Sequence, residues 1–265
     1  MFPLHTKTFP SSAAELTTLL SDSIDCLFSG ASTPVSIRDK AYPDLAELRI
    51  SLDGAQLRPD APAAPHPQGT NLAAIRVEEL VLSAIGVSIG PGSGDVRLTA
   101  RDVQLNQART KDDEIVLVLR SAREGHIEIT AEKETLESVV ATLAKKEAGK
   151  QGVTIESARL TVRERGPRSV TAEVQLQARK LFFSTVVRIV ADLDLDEQLN
   201  ATLSGLACKG DGTIGALACG FLDPHLQKMN GRGFSLLALP LGEVRLRDVR
   251  LSAADKITVT AEFGA

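Results

Sequence analysis

The chain begins with apolar residues at helical spacing. Ser12 and Glu15 form an S-x-x-E capping box just before them, and Gly30 is a typical helix stop. Apolar residues three or four positions apart lie on one face of a helix. The residues with this spacing are Leu16, Leu19, Leu20, Ile24 and Leu27. The pattern predicts an amphipathic helix over about residues 12–29.

Much of the remaining chain alternates between apolar and polar residues, which is the period of a half-buried strand. The first such run, Leu48 to Leu52, ends at the turn signal Asp53-Gly54. Further runs lie at residues 75–77, 79–82, 87–89, 96–105, 115–119, 126–130, 153–163, 169–176, 181–195, 199–207, 243–251 and 256–263. Repeated short alternating runs predict antiparallel sheet with one polar face.

Two more helices are predicted between these strands. Residues 132–148 carry an apolar stripe, with acidic residues in the first turn and lysines in the last, as the helix dipole favours. Residues 212–230 form the third helix, and Asp223-Pro224 inside it fits an N-cap followed by a first helical position. We therefore expect a kink or two short helices there.

The order of elements is helix, strands, helix, strands, helix, strands. This order predicts an α+β fold and not a parallel α/β sheet. Residues 59–71 contain four prolines and are predicted to form a surface loop. Because this is the only proline-rich stretch and it lies within the first half of the chain, we expect a single domain over residues 1–265.

The composition narrows the classes of partner. The formal net charge is −4 with no cluster of Lys and Arg, so nucleic-acid binding is not expected. Aromatic residues make up only 3%, with no Trp. Stacking surfaces for bases or sugars are therefore scarce, and the core must be largely aliphatic.

The N-terminus and the cysteines predict a cytoplasmic location. The first residues show no basic region followed by an apolar run, and no later stretch reaches the ~20 apolar residues of a membrane-spanning helix. Cys26, Cys208 and Cys219 are odd in number and lack CxxC spacing. They fit buried thiols in a reducing compartment, with a Cys208–Cys219 bridge as the alternative. An envelope location is the alternative if a leader has been removed.

Gly210-Asp-Gly212-Thr-Ile-Gly215 matches the dinucleotide-binding pattern G-x-G-x-x-G. A second parallel strand ending in an acidic residue should follow ~20 positions on. The chain has Gly231-Arg-Gly-Phe-Ser-Leu there and soon ends. The favoured interpretation is a glycine-rich turn into a helix, with φ > 0 at the glycines.

Other candidate sites for chemistry are weak. Asp192, Asp194 and Asp196 alternate along one strand face, but the glycine and final glutamate of a calcium loop are missing, so a solvated strand face is favoured. The four histidines show no HExxH or HxH spacing, and no G-x-S-x-G motif is present. We therefore predict no catalytic residue, no metal and no cofactor. A catalytic group assembled from distant positions is the third-ranked hypothesis.

What remains is an apolar set distributed over the second helix, the strand near residue 182 and the third helix. Each residue alone is most simply a core residue. Together they are candidates for the lining of an apolar groove, because sheets laid on helices can enclose hydrocarbon without specific polar contacts. The candidate lining residues are Leu136, Val140, Leu143, Phe182, Phe183, Leu217, Phe221, Leu222 and Leu226.

Three segments carry a resemblance to a known family: residues 77–89; the run from Ile127 through the Thr135–Val140 helix to Val162; and residues 236–246. Together they resemble the LmeA-like family of bacterial phospholipid-binding proteins, related to the tubular lipid-binding (TULIP) superfamily. The likeness spans roughly Asp44 to the C-terminus and consists of hydrophobic patterns and turn placements. It implies a strongly curved antiparallel sheet wrapped along amphipathic helices, with a lipid groove and no catalytic residues. Such proteins are usually exported, whereas this chain shows no leader.

We therefore expect non-catalytic binding of a lipid or another hydrophobic ligand. The alternative is a structural or scaffold protein with the same fold that acts through self-association or partner binding. Transient contact with a membrane surface and assembly into a homo-oligomer are the remaining partner hypotheses. The first helix could cap the groove, join a partner or touch a membrane surface. Because it has few basic residues, membrane contact is the least favoured of these three roles.

Overall fold

In a computed structural model of the chain, the described residues are 2–62, 68–149, 153–180, 183–196, 200–235, 244 and 246–265. Within them lie three α-helices and sixteen β-strands. The helices are α1 (Ala13–Leu27), α2 (Lys133–Gly149) and α3 (Gly212–Met229). The strands are β1 (Phe2–Pro3), β2 (Phe28–Ser29), β3 (Val35–Ala41), β4 (Asp44–Ser51), β5 (Gln56–Leu57), β6 (Gln68–Ile89), β7 (Gly92–Arg109), β8 (Ile115–Ser121), β9 (Glu124–Glu132), β10 (Thr154–Gly166), β11 (Ser169–Lys180), β12 (Phe183–Leu195), β13 (Asn200–Gly210), β14 (Arg232–Ser235), β15 (Leu246–Ala253) and β16 (Lys256–Phe263).

The chain contains two compact units. The first comprises Met1–Ile129, Pro240–Asp248 and Thr260–Ala265, and the second comprises Thr130–Leu239 and Val249–Val259. The single domain expected over residues 1–265 stays a prediction.

The fold is mixed α+β and mostly sheet, as predicted. Both sheets are open and curved. The larger has eleven strands and follows the order β15-β16-β9-β7-β6-β4-β3, with β1, β2, β5 and β8 attached beside this path. Most of its pairings are antiparallel, but β4 and β5 pair in parallel with β6. The antiparallel sheet that the sequence predicted is thus confirmed, with these two parallel pairs as exceptions.

In the first unit, α1 buries the predicted apolar stripe. Leu16 and Leu20 are fully buried in one core with residues of β4, β6, β7 and β8. The predicted cap of α1 is confirmed, since the Ser12 hydroxyl accepts a hydrogen bond from the Glu15 N–H at 3.2 Å. The Glu15 carboxylate accepts from the N–H and the hydroxyl of Ser11, and these bonds hold the pKa of Glu15 below its usual value.

The second unit is built on a five-stranded antiparallel sheet in the order β10-β11-β12-β13-β14. Helix α2 lies along β10, and α3 lies along β13 and β12. Both helices are on the same face. Val140 of α2 packs in one cluster with Leu176 and Ile189, and Cys219 of α3 is bonded to Cys208, whose strand partner is Ile189.

The helix predictions over 12–29, 132–148 and 212–230 match α1, α2 and α3 within two residues at each end. Helix α3 is one helix and not two short ones, and it contains Pro224. The predicted loop over residues 59–71 is shorter than expected, because β6 already begins at Gln68. Residues 63–67 of that loop lie outside the described residues.

Candidate functional site

The centre of the second unit's sheet presents an apolar surface to the helices. Strands β11 and β12 pair without a register shift, so alternate residues of each strand lie on one face. We call the ten residues on the helix-bearing face the apolar floor. They are Val170, Ala172, Val174, Leu176 and Ala178 on β11, paired in that order with Leu193, Ala191, Ile189, Val187 and Thr185 on β12. Thr185 is the one polar member.

The apolar floor is only partly covered. Leu176, Ala178 and Val187 are buried, and the other seven floor residues are half-buried. The core of the first unit differs, because Leu16 and Leu45 there are completely shielded from solvent. Half-buried aliphatic side chains in the middle of a sheet are unusual for a finished core, where interiors are packed as tightly as organic crystals. The floor therefore has room for contact with further apolar atoms.

Helix α2 runs antiparallel to β10, and helix α3 runs antiparallel to β13. The Ala148 carbonyl near the end of α2 accepts from the Val153 N–H at 3.1 Å, just before β10 begins. Further back in α2, the Glu137 carboxylate accepts from the Leu160 N–H at 2.8 Å. Helix α3 starts beside the last residue of β13, Gly210, and ends where Asn230 accepts from the Leu206 N–H at 3.4 Å.

Two glycines allow α3 to touch β13 backbone to backbone. A Cβ on Gly210 would lie 2.1 Å from the backbone C and O atoms of Gly215, and a Cβ on Gly215 would lie 2.5 Å from the backbone C of Gly210. The intervening Gly212 has φ +69°, which favours glycine. The G-x-G-x-x-G segment is thus a glycine-rich turn into a helix, as the sequence predicted. Close packing explains the outer two glycines, and only the middle one needs a positive φ.

A disulfide joins the same two elements. Cys208 of β13 and Cys219 of α3 are bonded, with their Cα atoms 5.4 Å apart. The prediction of three buried free thiols is wrong: two cysteines are paired, and Cys26 is exposed on α1. The turn at Gly210–Gly215 folds α3 back on β13 and so brings together two cysteines that are 11 residues apart. Cysteine spacing alone does not reveal this contact. A cytoplasmic location therefore loses its support from free thiols.

The predicted groove residues divide between two surfaces. Leu136 and Val140 are half-buried on α2, and Val140 packs against the floor. On α3, Leu222 and Leu226 are half-buried on the helical stripe of Gly215 and Cys219, which faces the sheet. Leu217 lies on the opposite side of α3 and is 61% exposed. Phe182 lies outside the described residues, and the side chains of Leu143, Phe183 and Phe221 are not among those described.

The floor itself was missed by sequence reasoning, although its signal is present. Apolar residues occupy every second position from Val170 to Ala178 and again from Val187 to Leu195. A period of two identifies the buried face of a strand. Sequence reasoning instead favoured the helical stripes and the aromatic residues, which carry larger apolar surfaces.

The polar face of β12 is a network of ion pairs and hydrogen bonds. Arg165 bonds Asp194 at 2.8 Å and approaches Asp192 within 3.6 Å. Hydrogen bonds from Ser169 and Arg165 hold the pKa of Asp194 below its usual value. Asp196 accepts from the N–H and the side-chain amide of Asn200, each at 2.9 Å. Asp192 and Asp194 are half-buried and Asp196 is exposed, so this face is partly solvated. Within the described ranges no group of three potential ligands could hold a metal ion.

Two cavities lie away from the floor. In the first unit, a pocket of about 460 Å³ has a strongly charged lining that includes Glu79, Arg101, Glu124, His126, Arg247 and Glu262. In the second unit, a pocket of about 370 Å³ lies against the outer side of α3, where Thr213, Ala216, Leu217 and Gly220 contribute to its lining. The exposed Leu217 therefore borders this second, apolar pocket.

None of the helices in the described part of the chain is both long enough and apolar enough to cross a membrane. Comparisons with known proteins add no family. No protein-family model matches the chain, and neither a curated protein nor a solved structure matches it.

Proposed function

We propose that this protein binds a lipid or another hydrophobic ligand without catalysing a reaction, and that the ligand lies on the apolar floor between α2 and α3. The observation that carries the proposal is the incomplete covering of the floor, where seven of the ten residues remain half-buried. The resemblance of residues 77–89, 127–162 and 236–246 to LmeA-like phospholipid-binding proteins points to the same function and to a TULIP-like fold.

The chemistry of the floor favours hydrocarbon. Its residues are Val, Ala, Leu and Ile with one Thr, so none of the ten floor residues carries a charge. Burial of one methylene group in such surroundings contributes about 0.8 kcal/mol. A chain of roughly ten buried methylenes gains about 8 kcal/mol, and the costs of association must be subtracted from this gain. A longer chain is therefore needed for binding near the micromolar range. A polar head group would have to lie beyond the floor.

Native mass spectrometry of the protein as purified, followed by solvent extraction and lipid analysis, tests the proposal. We expect discrete adducts of lipid mass that disappear on extraction. A bare protein mass, together with no uptake of lipid from liposomes, would refute the proposal. A bare mass found as a defined oligomer would favour the scaffold alternative instead.

A variant that fills the floor sharpens this test. Ala172 and Ala191 are cross-strand partners and have the smallest side chains of any pair on the floor. Ala191→Phe should occupy this space and lower the adduct population at least tenfold, since the ring replaces the volume that the ligand would fill. Gln175→Phe places the same ring on the opposite face of the same sheet and should leave the adducts unchanged. Equal loss in both variants would contradict a site on the floor.

A further inference from the structure

Among the side chains of α3 that the structure describes, few large apolar groups are buried against the sheet. Among its described side chains the two buried residues are Gly215 and Cys219, and neither carries a large apolar group. Leu222 and Leu226 face the sheet but are half-buried, and Leu217 is exposed. Because hydrophobic stabilisation scales with the apolar area removed from water, this part of α3 gains little from burial alone.

The Cys208–Cys219 disulfide supplies a covalent hold at the centre of this weak contact. Cys219 is only 5% exposed and lies one turn after Gly215, on the same stripe. Cys208 is half-buried and pairs with Ile189, a residue of the apolar floor. The bond therefore fixes α3 directly beside the floor.

We infer that the Cys208–Cys219 disulfide is a redox latch that keeps α3 seated beside the floor. A dithiol reductant opens it by ordinary exchange. One thiolate of the reductant attacks the sulfur of Cys208, the more exposed partner, and releases Cys219 as a thiolate. The second thiol of the reductant then displaces Cys208, so that both cysteines become thiols after taking up two electrons and two protons, and the reductant leaves as its own disulfide.

Once the latch is open, α3 keeps the glycine contact, its half-buried leucines and the hydrogen bond from Leu206 to Asn230. Its N-cap, Asp211, also keeps bonds to Val186, Thr185 and Arg188. These bonds lie at the ends of the helix, whereas Cys219 lies near its middle. The five-stranded sheet retains its own ladder and remains folded. Reduction thus loosens one helix selectively. Only the consequence for a ligand rests on the proposed function, because a loosened α3 would no longer form one side of the site.

Hydrogen exchange measured by mass spectrometry on the intact chain tests the latch without any ligand. After treatment with dithiothreitol, amides of α3 should exchange roughly a hundredfold faster, the factor expected when so short a loop loses its cross-link. Amides of β11 and β12 should keep their protection. Unchanged exchange in α3 would overturn the inference, and so would loss of protection in the strands together with α3.

Variants provide the controls. Cys208→Ala combined with Cys219→Ala should show fast exchange in α3 with or without dithiothreitol, whereas Cys26→Ser should behave as the native protein. If the double variant does not fold, reduction of the native chain still decides the outcome. Sensitivity to dithiothreitol that persists in the folded double variant would overturn the assignment to this bond.

Binding of cis-parinaric acid, a fluorescent fatty acid, measures the consequence for a ligand. We expect the oxidised protein to bind it and the dissociation constant to rise about tenfold on reduction, as α3 leaves the floor. Loosening of α3 with unchanged affinity would show that the bond does not act on the ligand site and would overturn that part of the inference. Failure of the oxidised protein to bind the probe would instead count against the proposed function, and the latch would then be judged from the exchange of α3 alone.

Discussion

Gly215→Ala tests whether backbone contact is the reason for glycine at the start of α3. The added methyl carbon would lie 2.5 Å from the backbone C of Gly210 and 2.7 Å from Oγ1 of Thr185. Non-bonded carbon atoms prefer ~3.5–4.0 Å, so the overlap is about 1 Å. The neighbouring atom is backbone within a strand and cannot rotate away. The helix must therefore move off the sheet.

The size of the effect follows from two opposing terms. Overpacking against rigid neighbours costs about 3 kcal/mol, at the upper end of its usual range. Alanine in place of glycine inside a helix returns about 1 kcal/mol. The free energy of unfolding of Gly215→Ala should therefore fall by about 2 kcal/mol.

Gly220→Ala is the matched control on the same helix. Nothing lies within 4 Å of a Cβ at Gly220, and the residue is exposed. The propensity term then acts alone and should stabilise the protein by about 1 kcal/mol. Urea unfolding followed by circular dichroism measures both variants, provided that the slope with denaturant is unchanged. Gly215→Ala as stable as the native protein would refute the packing explanation.

Two further predictions concern single carboxylates. Glu137→Ala removes the acceptor for the Leu160 N–H and should lower the free energy of unfolding by about 1 kcal/mol. Glu134 is exposed, so Glu134→Ala should change this free energy by less than about 0.5 kcal/mol. Urea unfolding measures both variants. Asp53 accepts from the Ile85 N–H at 2.7 Å, and this bond lowers its pKa. Its stabilisation is therefore present above the usual carboxyl pKa and lost as the pH falls through the lowered value. The stability difference between native protein and Asp53→Asn should be larger at pH 6 than at pH 2, and an equal difference at both would contradict the assignment.

The helix ends could be predicted because their signals are local. The start of α1 is fixed by a hydrogen bond between Ser12 and Glu15, which are only three residues apart, so the S-x-x-E motif predicts it. Strand β6 shows the limit of periodicity. It was predicted as separate runs because Glu78 and Glu79 break the alternation, yet both are exposed in one continuous strand with Val77 and Leu80 buried on either side.

Pairing between distant segments could not be predicted. Strand β3 (Val35–Ala41) is not among the predicted runs, since three consecutive charged residues hide its alternation. The parallel pairing of β4 with β6 joins residues about thirty positions apart, as in Leu48 with Leu80. Local patterns indicate that a strand exists, but they do not identify its partner. The same limit applies to Cys208 and Cys219.

The orientation of α3 on its sheet could not be predicted from its apolar residues. Leu217 and Leu222 both belong to apolar stripes of α3, and the sequence offers no way to choose the stripe that faces the sheet. Gly215 and Cys219 decide it, because one touches the backbone of β13 and the other is bonded to it. Small residues that mark a close approach were thus more informative about orientation than the large apolar ones.

The attachment of the two helices explains why the floor stays uncovered. Helix α2 is tied to β10 by the bond from Leu160 to Glu137, and α3 is tied to β13 by the disulfide and the contact of Gly210 with Gly215. These attachments lie on either side of β11 and β12 in the strand order. Apolar surfaces normally approach one another until no gap remains. Here the hydrogen bond to the Glu137 carboxylate and the disulfide hold each helix at its own edge of the sheet. Val140 of α2 still reaches the floor, and α3 also lies along β12, but seven of the ten floor residues remain half-buried.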